Sequence, residues 1–133
     1  VREQPPYAGP AAALLAGWTA LRTAPPRVAV LAVDMPHLTT GTLDRLARAA
    51  AVKPAGGMDE ATDGAVLIGP DARRQLALML EAAALRNLHA GLPPGAAVGL
   101  GVWRLLAPLR LVETPAEGDE HRDVDSPADL PGR

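Results

Sequence analysis

The sequence predicts a layered α/β fold, and three observations carry that prediction. The run Val28-Ala29-Val30-Leu31-Ala32-Val33 is apolar at every position and stops at Asp34-Met35-Pro36, which is the pattern of a strand buried on both faces of a parallel sheet. A second short apolar run, Gly64-Ala65-Val66-Leu67-Ile68, is closed by the turn residues Gly69-Pro70-Asp71. Segments of helical periodicity lie before, between and after these runs, and such alternation belongs to layered α/β domains, not to bundles.

Taken in order, Leu14, Trp18 and Leu21 fall at helical spacing between Ala11 and Arg22, and Pro25-Pro26 stops that helix ahead of the first strand. Thr39 or Thr40 is placed to cap a helix reaching Ala51, with Leu43, Leu46, Ala47 and Ala50 on one face. Lys53 to Asp63, rich in glycine and charge, reads as a loop before the second strand. Leu76 to Leu88 reads as a helix and Gly91 to Gly101 as an irregular connection. A short helix around Trp103 to Leu106 then leads into a strand over Leu109 to Val112. Ser126-Pro127-Ala128-Asp129 offers a hydroxyl cap and a proline at the first helical position, so a short closing helix is expected there. No repeat or linker interrupts the pattern, and residues 1–133 are expected to form one domain.

Composition narrows the function. The chain has 133 residues, 48% of them hydrophobic, which suffices for a sizeable core. Thirteen Lys and Arg against 15 Asp and Glu leave no sequence-wide basic field to hold a nucleic-acid backbone. The absence of cysteine excludes disulfides, thiolate metal sites and a cysteine nucleophile. No apolar run reaches membrane-spanning length and the opening Val1-Arg2-Glu3 has no leader pattern, so no membrane association and a cytoplasmic location are expected. Phenylalanine is absent, so Leu, Val and Ala must fill the core.

Asp34 is the first candidate for chemistry. An aspartate that follows a buried parallel strand stands at the carboxyl edge of the sheet, where α/β proteins place their ligands, and a carboxylate there suits Mg²⁺, which takes carboxylate and phosphate oxygens while keeping waters. In Asp123-Val124-Asp125 the alternate acids project to one side if the segment is extended, so both can face one ion. Gly9-Pro10-Ala11 brings small residues to a helix start, where free N–H groups and the helix dipole can meet an anion. Neither GxGxxG nor GxxxxGK[ST] occurs in the chain. His37, His89 and His121 are too scattered for a zinc motif. Ser126 lacks the setting of a nucleophile and reads as a cap. Trp18 and Trp103 fall in helical patterns and read as core residues.

In order, the segments REQPPYAGPAAALLAGW, VAVLAVDMPHLT, DGAVLIGPDARRQ and RDVDSPADL resemble successive motifs of the MobA-like nucleotidyltransferases, molybdenum cofactor guanylyltransferase among them. The resemblance spans nearly the whole chain. It implies a Rossmann-like three-layer sandwich with a mostly parallel sheet, and an enzyme that transfers a nucleoside monophosphate from an NTP to a phosphorylated cofactor precursor, releasing pyrophosphate. For the name-giving branch it implies GTP and molybdopterin. It makes Asp34, the aspartate of the D-x-P motif, the catalytic Mg²⁺ ligand. It places Gly9 and Pro10 beside the nucleotide, with Glu3 or Gln4 as a further nucleotide contact, and turns Asp123 and Asp125 toward the acceptor or a second metal.

The family pattern opens with a strand running into L-A-G-G-x-S-x-R-M-G and then a lysine, which together wrap the triphosphate. Nothing like that segment occurs in this sequence. The chain is therefore expected to match the C-terminal two-thirds of such a domain, without its first strands, and to leave sheet edges open. It is also expected to lack full activity, because neutralising the triphosphate charge is most of what a phosphoryl-transfer site contributes. Three other readings stay open on sequence grounds. One is a cytidylyl- or sugar-phosphate nucleotidyltransferase of the same fold, since base choice depends on the absent loop. A phosphoacceptor receiver domain also carries an aspartate at a strand end, although its Met-Pro falls several residues later. The last is a non-catalytic remnant.

Overall fold

A computed structural model describes residues 9–21, 25–32, 34–51 and 62–120. In chain order the elements are α1 (Pro10–Ala20), β1 (Arg27–Leu31), α2 (Thr40–Ala51), β2 (Gly64–Ile68), β3 (Arg74–Glu81), α3 (Ala82–Ala90), α4 (Val102–Leu106) and β4 (Leu111–Pro115). They fall into two compact units, one drawn from Val1–Pro26 with Ala82–Leu109 and the other from Arg27–Glu81 with Arg110–Arg133.

The second unit holds the sheet. Among the described residues its strands run in the order β1-β3-β2-β4. β3 is antiparallel to both β1 and β2, and β2 is parallel to β4. Two of the three neighbouring pairs among the described strands are therefore antiparallel, because β3 runs backwards between β1 and β2, and the sheet is mixed where a mostly parallel one was expected. The chain reaches β3 from β2 through a tight hairpin in which Gly69 N–H donates to Arg73 O at 2.9 Å and Ala72 N–H to Gly69 O at 2.9 Å.

β3 overturns the helix expected over Leu76 to Leu88. Its residues, Gln75-Leu76-Ala77-Leu78-Met79-Leu80-Glu81, are mostly good helix formers, yet they hydrogen-bond to a strand on each side. Ala77, Leu78 and Leu80 are fully buried. Burial on both faces and a complete ladder outweigh a helix preference of a few tenths of a kcal/mol per residue. The helix begins only at Ala82, whose N–H donates to Pro26 O at 3.0 Å.

β1 is a second correction. It stands at the sheet edge with half-buried Val28 and Val30 and exposed Ala29 and Leu31, not buried on both faces. Its apolar run marks a position beside the core, because among the described residues only β3 pairs with it.

α2 covers one face of the sheet. Leu46 and Ala50 of α2 pack with Met35, Ala65, Leu67, Ala77 and Met79, while Leu43 and Ala47 rest against this cluster, so the apolar stripe read from the sequence is the buried one. Full burial of a leucine such as Leu46 or Leu67 contributes about 1.5–3 kcal/mol. On the opposite face Val66, Leu78 and Leu80 are also fully buried. Gly64 is required where β2 meets β3, since a Cβ there would stand 2.3 Å from Met79 O.

The first unit is helical in its described part. Ala11 and Leu15 of α1, Ala82, Ala84 and Leu85 of α3, and Val102, Leu105 and Leu106 of α4 are buried. Leu14 and Trp18 are only half-buried and Leu21 is 47% exposed, so the face read from the sequence is rotated away from the observed one. A helix of alanine and leucine all round has no apolar stripe to fix its orientation. Trp103, expected in the core, is 39% exposed. Among the described residues no helix is long and apolar enough to cross a membrane.

Candidate functional site at the carboxyl edge of the sheet

β1, β2 and β4 all end at the same edge of the sheet. That edge gathers the turn after β1, the β2–β3 hairpin, the chain leaving β4, and the first turn of α2. Asp34 lies in the turn after β1 with its side chain exposed, while its neighbour Met35 is 6% exposed and anchors that turn in the α2 core. The backbone is held on both sides. Ala32 N–H donates to Leu76 O at 2.8 Å, and Leu38 N–H reaches Met35 O at 3.5 Å. An exposed carboxylate on an anchored turn could serve as one ligand of a Mg²⁺ ion, which keeps waters and takes phosphate oxygens besides one or two carboxylates. Among the described residues no three His, Asp or Glu side chains gather into a group that could hold a metal ion.

The first turn of α2 carries a network that the sequence does not announce. Thr39 is the cap: its Oγ1 accepts the Thr42 N–H at 3.2 Å, and Thr42 Oγ1 accepts the Thr39 N–H at 3.1 Å. This is the reciprocal logic of a capping box, with a threonine in the third position. The Thr42 hydroxyl proton is directed at Glu120, which leaves Thr39 as the donor in the 3.2 Å contact between the two hydroxyls. Arg45 grips the same carboxylate with both terminal nitrogens, at 2.7 Å to Oε2 and 2.6 Å to Oε1. The Glu117 N–H adds a donor to Oε1 at 2.8 Å. Gly118, with φ of 57°, provides the left-handed bend within this short turn.

Glu120 is only 8% exposed. The Arg45 guanidinium, chiefly, holds its carboxyl down to about 2 from an ordinary 4.5, aided by Thr42 and the Glu117 amide against the opposing effect of burial. Arg45 is pushed up in turn by its bonds to Glu120. The network therefore carries a permanent ion pair at neutral pH and ties the segment leaving β4 to the helix that follows the Asp34 turn.

The other residues expected at the site divide. Gly9 has φ of 106° and Pro10 is the first helical residue of α1, so the sharp entry into this helix is as expected. Its capacity for an anion is smaller than expected, because proline has no N–H and the Ala11 N–H already donates to Leu100 O at 3.3 Å. Glu3, Asp123, Asp125 and the closing helix at Ser126 lie outside the described residues. A cleft of about 430 Å³ opens within the helical unit between α1 and the turns after α3, lined by Leu15, Ala16, Thr19, His89 and Pro93 among others. The polar side chains among those five are Thr19, whose hydroxyl serves Ala16 O at 3.0 Å, and His89.

A mixed four-stranded sheet with α2 on one face and an exposed aspartate beyond the end of β1 defines an α/β protein. The model of the MobA-like NTP transferase domain matches residues 1–110, and the chain belongs to that family. The match implies a nucleotidyltransferase acting on a nucleoside triphosphate. No curated protein and no solved structure matches the chain.

Proposed function

We propose that this chain is part of a cytoplasmic nucleotidyltransferase of the molybdenum cofactor guanylyltransferase type. Its reaction would move GMP from GTP to the phosphate of molybdopterin: an acceptor phosphate oxygen attacks the α-phosphorus, a new P–O–P bond forms, and the bond to the departing pyrophosphate breaks. The observation that carries this reading is the family match over residues 1–110, joined to the exposed Asp34 at the carboxyl edge. The three-layer, Rossmann-like arrangement belongs to the same proposal and is supported by full burial of Leu67 on one face of β2 and Val66 on the other.

In this reading Asp34 holds Mg²⁺. The ion, when bound, would offset the charge gathering on the phosphoryl oxygens. Met35, buried among Leu46, Ala65 and Met79, keeps the carboxylate at the edge instead of letting it follow the solvent. Gly9 and Pro10 lie beside the nucleotide, with Glu3 as a further contact. Asp123 and Asp125 face the acceptor or a second metal. These last assignments rest on the motif resemblance.

The test is Asp34→Asn in a version that also carries the family's glycine-rich loop and lysine, assayed with magnesium, GTP and molybdopterin. The variant should lose turnover on the order of a hundredfold or more, with a much smaller change in nucleotide affinity. Equal turnover by the variant would remove Asp34 from the reaction, and preference for CTP over GTP would transfer the protein to the cytidylyl branch.

A further inference from the structure

The β2–β3 hairpin places two adjacent arginines at the same sheet edge as Asp34, and their side chains make only loose ion pairs. Arg73 has an 82% exposed side chain, and its closest carboxylate, Asp71 Oδ2, is 3.6 Å away. Arg74 is 42% exposed and reaches Glu113 Oε2 only at 3.9 Å. Both contacts are at the loose limit of ion pairing, where exposed pairs contribute little. Contrast Arg45, held at 2.6 Å by a carboxylate that it satisfies fully. The hairpin arginines are thus available to an anion that offers more charge than one carboxylate.

Register gives their position. Leu31 pairs with Ala77, and the Ala32 N–H donates to Leu76 O. β1 ends at Leu31 and Asp34 follows in the turn beyond it, at the edge where the antiparallel β3 begins with Arg74. Arg74 in turn pairs with Ile68, and Ile68 with Pro115. The edge therefore runs from Asp34 through Arg74 to the last residues of β2 and β4.

The hairpin also holds a conformation that its sequence does not favour. Ala72 has φ of 62°, a left-handed backbone in a residue with a Cβ. The Gly69 N–H to Arg73 O bond and the Arg73 N–H to Asp71 Oδ1 bond, at 3.1 Å, fix the turn in that state. From this hydrogen-bonded turn the Arg73 side chain projects into solvent.

We infer that Arg73 and Arg74 form a phosphate-binding pair, acting on a phosphoryl group held at the Asp34 edge. The inference rests on the proposed nucleotidyltransferase reading. Guanidinium groups suit this task because their planar N–H forks match phosphate oxygens two at a time. The ligand is a terminal phosphoryl group, carried either by the pyrophosphate end of the nucleotide or by the phosphomonoester of the acceptor.

The experiment is calorimetric titration of the 133-residue chain with magnesium pyrophosphate and, separately, with glycerol phosphate. Arg73→Gln with Arg74→Gln should weaken binding of at least one probe roughly tenfold or more, as loss of charge-assisted bonds requires. Loss for pyrophosphate alone assigns the pair to the leaving group, and loss for glycerol phosphate alone assigns it to the acceptor. Arg48→Gln, an exposed change in the last turn of α2, should leave both affinities unchanged. Unaltered circular dichroism in the double variant excludes unfolding as the cause. Equal affinity in wild type and double variant, equal losses with Arg48→Gln, or no binding of either probe by wild type would overturn the inference. Asp34→Asn separates it from the wider reading. If magnesium dependence survives Asp34→Asn while the arginine effect remains, the pair stands and the metal assignment falls. The reverse result removes the pair alone.

Discussion

The Thr42–Arg45–Glu120 network makes the most quantitative prediction available from this structure. Glu120→Gln keeps the shape of the side chain and removes its charge. In the native protein the carboxyl titrates at about 2 instead of 4.5, and at about 1.4 kcal/mol per pH unit that gap corresponds to about 3 kcal/mol. The sign follows from the direction. A carboxyl whose folded pKa is depressed contributes its full stabilisation above pH 4.5, and that contribution disappears as pH falls through the folded value near 2. The size agrees with the lower end of the 3–5 kcal/mol cost of orphaning one partner of a buried pair. The lower end applies because the Arg45 side chain is 20% exposed and can recover some water.

The assay is urea denaturation followed by far-ultraviolet circular dichroism, for wild type and variant, at a series of pH values from 7 to 2. The two proteins should differ by about 3 kcal/mol down to about pH 4.5, and the difference should close as pH approaches 2. A gap of the same size at every pH would show that the substitution acts through packing and not through the charge. A variant as stable as wild type at pH 7 would refute the role given to the network altogether.

Two further substitutions probe the backbone. Gly64→Ala should destabilise the sheet by about 2 kcal/mol or more, because the new Cβ would fall 2.3 Å from Met79 O and both atoms belong to paired strands that cannot separate locally. A thermal melt within a degree or two of wild type would show that the β2–β3 contact is looser than described. Ala72→Gly should be neutral or stabilising by up to about 1 kcal/mol, since glycine takes the φ of 62° without strain while adding freedom to the unfolded chain. A clear loss of stability in the same melts would mean that Ala72 does not occupy that conformation.

Where position along the chain and local pattern determined structure, the sequence was legible. Thr39 as cap, the Leu46–Ala50 stripe of α2, the β2 run and the short α4 helix are all set by neighbours within a turn or two, and the structure has each of them. The elements misread are those determined by distant partners. β3 has helix-forming residues and becomes a strand because β1 and β2 flank it. β1 has the composition of a central strand but lies at the edge of the described sheet. In α1 the face read from Leu14, Trp18 and Leu21 is not the buried one, which is formed by Ala11 and Leu15.

The site follows the same division. The apolar run ending in Asp-Met-Pro is a local signal, and the structure leaves Asp34 exposed just beyond the end of β1, while its use as a metal ligand stays a proposal. Glu120 was not legible, since Arg45 lies 75 residues away in sequence and the acid sits among other charges in Glu117-Gly118-Asp119-Glu120 with no periodicity to single it out. The hairpin arginines were hidden by the misreading of β3. Seen as residues before a helix, Arg73 and Arg74 are solvated charges. Seen as the turn and first residue of a strand antiparallel to β1, they fall at the sheet edge beyond which Asp34 lies. The antiparallel pairing that cost β3 its helix is also what places the start of β3, with its two arginines, at the sheet edge where β1 ends.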